Sequence, residues 1–159
     1  MKFEKFLKMA AGHGFIVEDN DGIKYLLFDG VMLRIPDGTN VIAPLTMGER
    51  SFMTNVLEAF ADNVIRSAEL TGAYLPTPDA SASKVIRIFN DNAGGEFGIT
   101  NRRFALIEKD DAVYTAYDED YNDESPVALV ILTGYGADEE IAGIIFDDDY
   151  FSEKINERE

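Results

Sequence analysis

The side chains whose types and spacing could do chemistry are mostly carboxylates, and the densest run lies between residues 114 and 124. There Tyr114, Tyr117 and Tyr121 intersperse with Asp118, Glu119, Asp120, Asp123 and Glu124. Carboxylates pair well with arginine forks, and tyrosine is favoured at protein interfaces. In an extended segment Asp118 and Asp120 would share a face about 6.8 Å apart. That spacing is of the same order as the roughly 3.4 Å axial rise per phosphate of one B-DNA strand. A carboxylate array of this kind could enter a basic cleft built for nucleic acid. The expected partner-binding residues are therefore Tyr117, Asp118, Glu119, Asp120, Tyr121, Asp123 and Glu124, with Asp147, Asp148 and Asp149 as a second acidic patch.

Other arrangements point less clearly to chemistry. Asp118, Asp120, Asn122 and Glu124 alternate as oxygen ligands might, but a calcium loop starting at Asp118 needs Gly at its sixth position and Glu at its twelfth. Asp123 and Leu129 stand there instead, so the segment reads as a solvated acidic loop. The single histidine, His13, lies between two glycines, without a Cys or second His to build a familiar dyad, and reads as a capping or surface residue. Thiolate and multi-imidazole zinc sites are disfavoured for the same reason.

Gly134-Tyr135-Gly136 follows a strand-like run, but Asp138, Glu139 and Glu140 stand where a dinucleotide site would receive phosphate. That segment reads as a turn with an acidic helix start. Arg102-Arg103 is the paired basic motif of the C-terminal half. On a strand the two would point to opposite faces, and one of them is expected to pair with neighbouring acids. Carboxylate pairs for acid–base hydrolysis are too numerous for sequence to single one out. No catalytic residue, metal or cofactor is assigned.

The elements that must position these residues follow from periodicity. An amphipathic helix is expected from about Lys2 to Ala11, ended by Gly12 or Gly14. Phe15–Glu18 and Ile23–Phe28 read as a hairpin around Asn20-Asp21-Gly22, and Val31–Ile35 as a third strand. Thr46 and Glu49 form a capping box before Met53, Val56, Leu57, Phe60, Val64 and Ala68. These spacings predict a long helix from about Met47 to Thr71, ended by Gly72 and the prolines Pro76 and Pro78. Residues 73–83 read as a flexible connection.

Beyond that connection the period becomes two. Lys84–Asn90, Phe97–Glu108, Ala112–Tyr117 and Val127–Thr133 are expected strands, with tips at Gly94-Gly95 and Lys109-Asp110-Asp111. Residues 141–146 fit a short helix or a strand, and Phe151 with Ile155 suggest a last helix. The fold class expected is α+β in one domain: an antiparallel sheet packed with one long central helix and shorter terminal helices.

Charge narrows the range of partners. The 159 residues carry 30 acids and 14 bases, a net charge of −16. Residues 1–80 hold 11 acids and 7 bases, whereas 81–159 hold 19 and 7; between Lys109 and Lys154 there are 14 acids and no Lys or Arg. Such a field repels phosphates and anionic membranes. Direct nucleic-acid binding is not expected, nor is a membrane contact, since the longest apolar run is Val127–Leu132 and a span needs about 20 such residues. The absence of cysteine suits a reducing compartment, and a cytoplasmic location is expected.

Function is expected to be non-catalytic binding of a basic protein, as an inhibitor or nucleic-acid mimic. The phage- or mobile-element type of small acidic protein is the general comparison. The alternatives are a self-associating, homo-oligomeric assembly accessory and a small domain that binds a ligand or cation through carboxylates.

Overall fold

Strands account for most of the regular structure. A computed structural model of the chain describes residues 1–18, 22–43, 65–75, 85–118, 121, 124–133 and 140–156. In chain order these form α1 (Phe3–Ala10), β1 (Phe15–Glu18), β2 (Lys24–Phe28), β3 (Val31–Arg34), β4 (Ile65–Leu75), β5 (Ile86–Asp91) and β6 (Glu96–Thr100). There follow α2 (Asn101–Phe104), β7 (Ala112–Ala116), β8 (Ala128–Thr133), β9 (Glu140–Phe146) and α3 (Asp148–Asn156). Every ladder is antiparallel, and the strands lie in the order β1-β2-β3-β9-β8-β7-β4-β5-β6.

This overturns the expected sheet packed with a long central helix. The described helices are three short ones, and residues 65–71 of the expected helix belong to β4. The reason is tertiary. β4 takes hydrogen bonds from β7 over Ile65–Ser67 and from β5 from Ala68 onward, and that pairing overrides the local helical period. The rest of the expected helix, 47–64, and its capping box lie outside the described residues. Of the expected connection, residues 73–75 are in β4 and 76–83 lie outside the described residues.

The hairpin β1–β2 forms in the register Phe15↔Leu27 to Glu18↔Lys24. At the β2–β3 turn Asp29 and Gly30 both take positive φ, 53° and 72°, the pairing that a tight two-residue hairpin requires. The expected strand Phe97–Glu108 instead stops at Thr100. The Thr100 hydroxyl accepts the Arg103 N–H at 3.4 Å and starts the short helix α2. Residues 140–146 are a strand, so Gly134–Gly136 precedes β9 rather than a helix. Residues 134–139 themselves lie outside the described set.

Strand alternation gives the sheet two apolar faces. On one, Val17, Tyr25, Leu27, Met32, Val130, Ile144 and Phe146 form a cluster with Tyr150 of α3. On the other, Leu26, Leu33, Leu129, Ile131 and Ile145 meet Phe3 and Phe6 of α1 and Phe89, Phe97 and Ile99 of β5 and β6. The sheet therefore curls, so that the β5–β6 hairpin shares a core with strands distant from it in the sheet. No described helix is long and apolar enough to cross a membrane.

Candidate acidic interface

Asp118 and Tyr121 of the first expected patch meet the second patch at α3. Asp147 starts that helix, its Oδ1 accepting the Tyr150 N–H at 3.1 Å. One helical turn on, Tyr150 is buried, and its hydroxyl donates to Asp118 Oδ2 at 2.9 Å. Tyr121 lies edge-on to the Tyr150 ring, with centroids 5.1 Å apart. Burial, followed by the negative charge of Glu153 and a hydrogen bond to it, then by the charges of Asp147 and Asp149, pushes the Tyr121 phenol above its ordinary pKa. Asp118, Asp147, Asp149 and Glu153 thus gather around one tyrosine pair. Asp147, Asp149, Glu153 and Glu124 are exposed.

Three of the expected residues take other roles or a different geometry. Tyr117 is buried, and its hydroxyl serves the interior. Asp148 pairs with Arg103 at 2.9 Å, so it is committed to an ion pair as well as being exposed. The Tyr121 N–H donates to the Asp118 carbonyl at 3.0 Å, which makes this step a turn rather than the extended run on which the Asp118–Asp120 spacing depended. Glu119, Asp120 and Asp123 lie outside the described residues.

Arg103 answers the expectation that one of the paired arginines meets an acid. Its side chain is 12% exposed, and the guanidinium donates to the Asp29 carbonyl at 2.6 Å and to Asp148 Oδ1 at 2.9 Å. It therefore ties the β2–β3 turn to the first turn of α3. Arg102 is exposed on the same short helix. His13 is exposed, and its N–H closes α1 on the Ala10 carbonyl at 2.7 Å.

One polar cluster was not anticipated. Asp91, 8% exposed at the end of β5, accepts four hydrogen bonds. Its Oδ1 takes the N–H groups of Ala93 at 2.9 Å and Gly95 at 2.8 Å, and its Oδ2 takes the Thr115 hydroxyl at 2.7 Å and the Tyr117 hydroxyl. Burial alone would raise its pKa, but the hydrogen bonds from Tyr117, Thr115, Gly95 and Ala93 outweigh burial and hold it at about 2. Burial first, then Asp91, raises the Tyr117 phenol. The Arg66 guanidinium lies 4.8 Å from the Tyr117 ring centroid, a cation–π distance.

The local half of this cluster was visible in the sequence. Asp-Asn-Ala-Gly-Gly is a turn in which an aspartate binds backbone N–H groups two and four residues on. The partners on β7 depend on the curl of the sheet and left no sequence signal. With its four acceptor positions engaged, Asp91 is a structural tie between the β5–β6 hairpin and β7 rather than an available acid or base.

Among the described residues no three acidic or imidazole groups converge as a metal would require. Comparison with family models, with curated proteins and with solved structures finds no match to this chain.

Proposed function

We propose that the chain is a non-catalytic interaction protein that binds a basic protein through the acidic surface around Tyr121 and Tyr150, and inhibits that partner by occupying its basic cleft. The observation that carries this reading is the gathering of carboxylates from two segments far apart in sequence, Asp118 and the Asp147–Glu153 stretch, around one aromatic pair. Like charges held together cost stability in the free protein. A basic partner relieves that cost, so complex formation is favoured electrostatically and steered at long range. Tyr121, half-buried among the acids, supplies an amphipathic contact of the kind enriched at interface centres.

The test is affinity capture from a source-cell lysate, eluted with a salt gradient and read by mass spectrometry. The reading predicts a basic protein released at moderate salt. Recovery of only further copies of this chain, or of nothing, would overturn it.

A further inference from the structure

A second surface lies where the sheet splits. The ladder between β4 and β7 ends at Ser67↔Tyr114, and from Ala68 onward β4 is paired along its other edge to β5. β7 extends past that point, with Ala112 and Val113 paired to Leu132 and Ile131 of β8. The two strands therefore diverge. Between them opens a groove of about 520 Å³ whose apolar lining includes Ala68, Leu70, Phe89, Phe104, Ile107 and Val113.

Three observations bear on what the groove takes. First, the facing edges of β4 at Ala68–Leu70 and of β7 at Ala112–Val113 have no ladder partner among the described strands. An open strand edge offers backbone donors and acceptors at the spacing of another extended chain. Second, Leu70 remains 41% exposed at the groove, whereas Ala68, Phe104, Ile107 and Val113 pack on the core. An apolar side chain laid there would cover it. Third, both rims are acidic. Glu69 is exposed on the β4 side, and the opposite turn carries Glu108, Lys109, Asp110 and Asp111, three acids to one lysine. Asp111 is spoken for, since its carboxylate meets the Met1 amine at 2.9 Å and the Glu108 N–H at 2.8 Å. Glu108 also meets that amine, at 3.4 Å, but stays 54% exposed, so Glu69 and Glu108 are the exposed acids that line the opening.

We infer that this groove binds an extended peptide segment of a partner by strand addition, with an apolar residue over Leu70, Phe104 and Val113 and Lys or Arg residues at the rims. Successive side chains of a strand alternate in direction, so the recognised pattern alternates apolar and cationic residues. The backbone supplies affinity, and the floor and rims supply the choice of sequence. This site is separate from the acidic surface around Tyr121 and does not depend on it.

The inference is tested with the full chain, isotopically labelled, titrated with an acetylated and amidated hexapeptide of alternating Lys and Val while amide shifts are followed. Saturable shifts at Ala68–Leu70 and Ala112–Val113 are expected. Leu70→Gln, a change at an exposed position, should weaken binding about tenfold while leaving the rest of the spectrum in place. A peptide N-methylated at its valines should lose binding, because the backbone donors along one of its two edges are gone. Shifts confined to residues 118–124 and 147–153, equal binding by Leu70→Gln or by the N-methylated peptide, or no shifts at all would each overturn the inference.

Discussion

Asp91 shows how one residue can take a central structural part without being available for chemistry. Its four hydrogen bonds come from its own turn, from Thr115 of β7 and from Tyr117 just beyond that strand, so removing any donor leaves a buried charge short of a partner. Tyr117→Phe is expected to cost about 2 kcal/mol, the range for a hydrogen bond to a charged group, measured by denaturant unfolding. The same tie sets an acid dependence. Folding lowers the Asp91 pKa from 3.8 to about 2, so its stabilisation is complete above the unfolded value and is lost as pH falls from about 4 toward 2. Asp91→Asn should flatten the unfolding free energy across that window, and an unchanged acid slope would contradict the assignment. Tyr121 reports on the acidic surface in the same way. Because burial and the charges of Glu153, Asp147 and Asp149 raise its phenol, replacing Asp149 by Asn and Glu153 by Gln should bring its ultraviolet titration midpoint down toward an ordinary tyrosine.

At the scale of elements, α3 is held on the sheet by Tyr150 in the core and by Arg103 at its start. Arg103→Met should cost about 1 kcal/mol through the two lost hydrogen bonds, whereas Arg102→Met, at an exposed position of the same helix, should leave the melting temperature unchanged. Equal effects would show that the clamp contributes nothing. Local patterns predicted much of this layer. Phe15–Glu18 and the strands at 24–28, 31–34, 112–116 and 128–133 lie where period-two alternation and turn residues placed them. Thr100 shows what alternation hides: a capping hydroxyl ends β6 and starts a helical turn where the apolar alternation continues. Ile65–Leu75 shows the larger limit. Its apolar spacing suited a helix, but its place in the sheet depends on ladders to β5, the next strand along the chain, and to β7, which β5 and β6 separate from it in sequence. The acidic surface was legible as two charged segments. That they meet was not, because α3 reaches Asp118 through a tertiary contact, Tyr150.

For the whole molecule, the curled sheet leaves Glu124, Asp147, Asp149 and Glu153 exposed while both of its faces are buried in apolar clusters. A net charge of −16 gives long-range attraction for basic partners whose strength falls with ionic strength. The most direct test of the proposed function is capture of the basic partner by the unaltered chain and by Glu124→Lys/Asp149→Lys/Glu153→Lys, across a salt series. These three positions are exposed and leave the Asp147 cap, the Arg103 clamp and the Asp118–Tyr150 hydrogen bond in place. Capture by the unaltered chain should weaken steeply with salt, and the triple variant, still melting cooperatively as a folded protein, should lose it at least tenfold at low salt. Salt-independent capture, or equal capture by the variant, would contradict the assignment of this surface as the partner-binding site.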